Sequence, residues 1–164
     1  MDITDAELAF IFAQDVTLIS AGKFTVNGVT ASNTANIAGT TLLDGSGEVE
    51  FSSGASVFTN GLTVQADDLV DIDVAITTTA GNLSIDGDAD NAADTNDKVD
   101  IATGLTLTTA GLMTLDATTG GIAGVVLTLN AKEGVTITDA LTTTDTLTVK
   151  ADTDADDNTG TFTT

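Results

Sequence analysis

The sequence predicts an all-β fold, a parallel β-helix (β-solenoid) with about seven coils of ~22 residues each. Three observations lead to it: short strands of alternating polarity, their recurrence near one fixed spacing, and glycine-bearing corners between them.

The strands come first. Leu62-Thr63-Val64, Leu83-Ser84-Ile85, Leu105-Thr106-Leu107, Leu127-Thr128-Leu129 and Leu147-Thr148-Val149 each alternate apolar and polar, the mark of one buried face. Their first residues lie 21, 22, 22 and 20 positions apart. Leu42 and Leu18 continue the series backwards. A second series runs through Phe24-Thr25-Val26, Val49-Glu50-Phe51, Ile72-Asp73-Val74, Val99-Asp100-Ile101, Met113-Thr114-Leu115 and Val135-Thr136-Ile137. It is spaced 25, 23, 27, 14 and 22, so an insertion disturbs it around residues 86–98. Together the two series predict a strand about every ten or eleven residues.

The corners carry Ala21-Gly22, Asn27-Gly28, Asn60-Gly61, Ala80-Gly81, Thr103-Gly104 and Ala110-Gly111. Glycine and asparagine tolerate the positive φ that tight corners require. An antiparallel sandwich would also use short strands, but it predicts hairpins and no fixed long period. A solenoid predicts the recurrence, with like residues stacked coil on coil.

In chain order, residues 1–164 read as one solenoid domain. Residues 1–15 form either a cap or a first coil, with the coil preferred. Asp5-Ala6-Glu7-Leu8-Ala9-Phe10-Ile11-Phe12-Ala13 is the one stretch that suits a short helix, for which Asp5 is a candidate cap. Residues 86–98 are an acidic loop insertion, and 150–164 are a second acidic loop followed by an open strand edge. Such an edge accepts further strands, so the chain is expected to continue into more coils or to stack end to end with other copies of itself.

Composition limits the chemistry. The chain has 25 acidic residues, four lysines and no arginine, for a net charge of −21. Nucleic acid and anionic membrane surfaces are therefore poor partners, and divalent cations good ones. No stretch reaches the ~20 apolar residues of a membrane span. Met1-Asp2-Ile3-Thr4-Asp5 lacks the basic start of a signal peptide. Proline is absent, which suits unbroken strand ladders. Histidine, cysteine, tyrosine and tryptophan are also absent, which removes most acid–base and nucleophilic groups and the aromatic platforms that hold sugars. The chain is not expected to be an enzyme.

The candidate ligands are carboxylates. Asp86, Asp88, Asp90, Asn91, Asp94 and Asp97 lie in one acidic run, and Asp152, Asp154, Asp156 and Asn158 in another. Alternate carboxylates in a turn can converge on one hard cation, and calcium takes six to eight oxygens. The competing reading is a solvated loop that discourages lateral strand pairing. Asp67, Asp68, Asp71 and Asp73 form a weaker group, read as a polar outer face. Thr106-Leu107-Thr108, Thr136-Ile137-Thr138 and Thr146-Leu147-Thr148 place hydroxyls two apart on a strand face, the pattern of an ice-binding ladder or of ordinary outward threonines.

Gly61-Leu62-Thr63-Val64-Gln65-Ala66-Asp67, Gly104-Leu105-Thr106-Leu107-Thr108-Thr109-Ala110-Gly111 and Gly120-Gly121-Ile122-Ala123-Gly124-Val125-Val126-Leu127 resemble the repeats of large bacterial surface adhesins of the filamentous-haemagglutinin type and of autotransporter passenger domains. The likeness spans roughly residues 16–160. It implies a secreted, extracellular β-helix at the cell surface, used for adhesion to a surface ligand or glycan, a surface layer or a filament. The calcium-binding nonapeptide repeat is absent. The alternative function is a calcium-dependent carbohydrate- or ice-binding module.

Overall fold

The computed structural model describes residues 1–93, 95–154 and 160–164. The chain winds as a β-solenoid of seven coils with three faces, as the period predicts. Among the described residues, every strand pairs in parallel with its equivalent one coil away.

Face 1 stacks β1 (Asp2–Thr4), β3 (Phe24–Asn27), β5 (Glu48–Ser52), β8 (Leu69–Ile72), β11 (Lys98–Ile101), β14 (Gly121–Gly124) and β17 (Leu141–Thr143). Face 2 stacks β6 (Ser56–Phe58), β9 (Ile76–Thr78), β12 (Leu105–Thr109), β15 (Leu127–Ala131) and β18 (Leu147–Lys150). Face 3 stacks β2 (Val16–Ser20), β4 (Thr41–Gly45), β7 (Leu62–Ala66), β10 (Leu83–Asp86), β13 (Leu112–Asp116), β16 (Gly134–Ile137) and β19 (Thr161–Thr163). Each coil visits the faces in the order 1, 2, 3.

Three strands per coil, rather than the two expected, shorten the interval between strands. The extra strand was hidden because β6 and β9 are only three residues long. The first sequence series therefore mixes two faces. Leu62 and Leu83 lie on face 3, whereas Leu105, Leu127 and Leu147 lie on face 2. In the second series, Val70 rather than Ile72 is the register partner of Val49 and Val99. Met113 and Val135 belong to face 3.

The core is a set of vertical apolar ladders. Phe24, Val49, Val70, Val99 and Ile122 stack on face 1, and Ile3, Val26, Phe51, Ile72 and Ile101 beside them. Leu18, Leu43, Val64, Ile85, Leu115 and Ile137 stack on face 3. Nearly all are fully buried. Each contributes about 1.5–3 kcal/mol by leaving water, and in-register pairing sets each directly over its equivalent one coil away. The narrow lumen explains the aliphatic composition. Three phenylalanines, Phe24, Phe51 and Phe58, enter the core, while Phe10, Phe12 and Phe162 are exposed.

In the first two coils a single helical turn replaces the face-2 strand: α1 (Asp5–Leu8) and α2 (Ala31–Thr34). The N-terminal segment thus runs through β1, the four-residue turn α1 and β2 as the other coils run through their three faces. Thr4, not Asp5, stands at the start of α1, where the Glu7 carboxylate accepts from the Thr4 N–H at 2.8 Å. Asp5 serves the next coil instead. Its Oδ1 accepts from the Thr30 N–H at 2.6 Å, fixing the start of α2 beneath it. The turn Ala31–Thr34 carries no sequence period long enough to announce a helix.

Corners pack backbone against backbone. A β-carbon on Gly120 would lie 1.1 Å from the Asp97 carbonyl oxygen of the preceding coil, whereas one on Gly22 would meet nothing within 4 Å. Gly120→Ala is therefore expected to cost about 3 kcal/mol of stability, and Gly22→Ala to stay within about 0.5 kcal/mol of the parent. Urea unfolding of the two variants measures both.

Candidate cation-binding carboxylates

Parallel register stacks outward residues as strictly as inward ones. On face 1 the outward column places Glu50, Asp71 and Asp100 on successive coils. Like charges in direct register repel. Lysines offset the two ends. Lys23 Nζ lies 2.9 Å from Glu48 and 3.1 Å from Glu50, and Lys98 Nζ lies 2.7 Å from Asp100. Asp71 lies between them, and among the described residues no lysine pairs with it. Its carboxyl is held above the usual range, first by burial, then by the charges of Asp73, Asp100, Glu48 and Glu50. Carboxylate oxygens of Glu48, Glu50 and Asp71 come within 4.8 Å of one another, the one such triad among the described residues.

Face 3 carries a second acidic column. Asp86 and Asp116 are register partners. Burial is the main cause that raises both, reinforced by neighbouring carboxylates. Asp139 is lowered, chiefly by its hydrogen bond with Asp116 and then by the Ala117 N–H, which donates to its Oδ2 at 3.1 Å.

Among the described residues of the acidic run that follows Asp86, no three carboxylates converge. Asp86 accepts from the Asp88 N–H at 3.1 Å, and the exposed Asp90 accepts from the Ala92 N–H at 2.9 Å, so both serve as local turn caps. Asn91 adopts φ 56° and donates to the Ala89 carbonyl. Asp88 and Asp97 instead turn inward at the two ends of the loop, 0% and 6% exposed. Both reach Thr119 of the next coil. Its N–H donates to Asp88 Oδ2 at 2.6 Å, and its hydroxyl donates to Asp97 Oδ2 at 2.9 Å. Asp94 lies outside the described residues, as do Asp156 and Asn158. Asp152 is exposed beyond β18, and Asp154 lies 3.9 Å from Lys132.

Sequence reasoning singled out Asp71 only weakly and did not single out Glu48 or Glu50. The signal was present. Aligning Val49 with Val70 and Val99 stacks the acids that follow them.

Outward hydroxyls also stack. Thr63, Ser84, Thr114, Thr136 and Thr163 form one column on face 3, and Thr106, Thr128 and Thr148 another on face 2. Threonines recur at fixed coil positions, and on face 2 the neighbouring outward column runs Thr77, Thr108, Asn130 and Lys150. The neighbouring column on face 3 reads Asp44, Gln65, Asp86 and Asp116. No helix among the described residues is long and apolar enough to cross a membrane.

No family model, no curated protein and no solved structure matches the chain.

The raised carboxyls fix the sign of the pH response. Asp71, Asp86 and Asp116 hold protons more tightly folded than unfolded, so the stability they contribute is complete below their ordinary value of 3.8 and is lost as pH rises through the higher folded values. Asp139 works in the opposite direction. The midpoint of thermal unfolding is expected to rise as pH falls from neutral towards the carboxylate range, and Asp71→Asn to gain about 0.5 kcal/mol at neutral pH by relieving the column. Melting curves across pH, parent against variant, measure this.

Proposed function

We propose that the chain is a structural element: an extracellular β-solenoid rod that belongs to a surface adhesin, a surface layer or a self-assembling filament, and that joins further coils or other copies of itself end to end. The observation that carries this reading is the last coil. β17, β18 and β19 each pair on one side alone among the described residues. Their apolar residues continue the inner ladders. Leu147 stacks on Leu127, and Phe162 on Val135, yet they are 37% and 49% exposed. A further coil in register would cover both and satisfy the strand edges.

The surface supports a role without catalysis. It offers acid columns and hydroxyl columns but no histidine, cysteine, tyrosine or arginine. The acidic faces resist lateral association, which leaves the ends as the places to join. The likeness to filamentous-haemagglutinin-type repeats supports a cell-surface setting for the rod. A carbohydrate- or ice-binding module is favoured less, because a flat hydroxyl face needs two adjacent columns and face 3 sets an acidic column beside its one.

Sedimentation velocity and electron microscopy test the proposal. The parent chain is expected to form linear, concentration-dependent oligomers, and the double variant Leu147→Lys, Phe162→Lys to sediment as a monomer of unchanged strand content. A parent that stays monomeric at the highest attainable concentration, or a double variant that still polymerises, would overturn end-to-end joining.

A further inference from the structure

The loop between β10 and β11 leaves the solenoid and returns to it at one corner, and its two ends are closed by buried acids. Asp88 is 0% exposed. Its Oδ2 takes the Thr119 N–H, but its Oδ1, also buried, has no hydrogen-bond partner. An uncompensated buried carboxylate oxygen is among the costliest groups a fold can hold. A solvated loop would not need one, since an outward Asp88 would cost nothing. Asp97 is 6% exposed and converges on the same residue through the Thr119 hydroxyl. The adjacent Lys98 directs its ammonium to Asp100, 2.7 Å away.

The corner itself is rigid. Added β-carbons on Gly87 and Gly120 would lie 2.3 and 1.1 Å from the carbonyl oxygens of Lys98 and Asp97, so the two coils touch through bare backbone. Access exists beside it. An open groove of about 480 Å³ is lined by Asp97 and Thr119, together with Thr95, Asn96 and Gly120.

We propose that the neck formed by Asp88 and Asp97 around Thr119 is a binding site for one hard divalent cation, calcium in the first instance. Asp88 Oδ1 and the Asp97 carboxylate are the anionic ligands, and water entering from the groove completes the shell. All are oxygen donors, and the irregular arrangement suits calcium, which tolerates variable geometry, better than magnesium, which requires a regular octahedron. The site differs from the chelate that alternate spacing suggested. Asp86 and Asp90 cap turns, and the ligands come from the two ends of the loop, so binding would fasten the loop to the next coil. This inference rests on the solenoid corner and not on end-to-end joining; a chain that stays monomeric leaves it standing.

The test uses the whole chain. Calcium at about 5 mM is expected to raise the melting midpoint by about 5 °C over chelator, as mass action requires for a site that exists only when folded. Asp88→Asn should abolish that rise without lowering the midpoint in chelator, since it removes an uncompensated charge. The control Glu50→Gln, Asp71→Asn should keep the rise. Trace manganese, added to the isotope-labelled parent, localises the ion without mutation. Broadening is expected first at the amides of Asp88, Ala89 and Thr119. Absence of any calcium shift, a shift that survives Asp88→Asn, or broadening centred on Glu50 and Asp71 would each overturn the assignment.

Discussion

Everything in this molecule depends on in-register parallel stacking, which sets each residue directly over its equivalent one coil away, ~4.8 Å distant. Inside, the constraint is an advantage. Val49 lies between Phe24 and Val70, and Leu115 between Ile85 and Ile137, so mainly aliphatic ladders with three phenylalanines close the lumen. At the corners the same spacing admits glycine where coils meet, as at Gly120. Buried hydroxyls obey it too. Thr78 and Thr109 stack inward on face 2 and share a hydrogen bond of 2.8 Å, with the Gly81 carbonyl as a further acceptor.

Outside, the constraint becomes a cost. A chain of net charge −21 with four lysines cannot avoid placing acid over acid. Two of those lysines, Lys23 and Lys98, are committed to the face-1 column, and they bracket Asp71 without reaching it. On face 3, where Asp86 and Asp116 stack, the compensation is a hydrogen bond between Asp116 and Asp139, which pulls the two carboxyls in opposite directions. On the proposed reading, the acidic surface would keep rods apart sideways, and the exposed Leu147 and Phe162 of the last coil would be covered lengthwise. The proposed neck at Asp88 and Asp97 would be a third solution, in which a cation meets the buried acid.

The architecture was legible in the sequence because a solenoid repeats its instructions. The number of strands per coil was not. Leu83 and Leu105 are 22 residues apart and look equivalent, yet the register partner of Leu83 is Met113, 30 residues on. The loop after Asp86 is about as long as one strand with its turn, so the count landed on the wrong face. Period-2 alternation tells which side of a strand is buried, but not which of three sheets it joins. The single-turn helix Ala31–Thr34 was invisible for a related reason, since four residues hold no periodicity and its geometry is imposed by Asp5 from the coil before. The acidic run after Asp86 was visible as composition, but the inward turn of Asp88 was not, because it follows from a contact with Thr119, 31 residues distant.

The most direct test of the stacking is a distance. Thr25 and Thr142 occupy the same outward position on face 1, five coil steps apart through Glu50, Asp71, Asp100 and Ala123. The chain has no cysteine, so Thr25→Cys with Thr142→Cys carries two spin labels without background. Pulsed electron resonance is expected to give one narrow distribution near ~24 Å, five steps of ~4.8 Å. A broad distribution, or a distance that does not shorten by about one step when the second label moves to Ala123, would contradict the seven-coil solenoid.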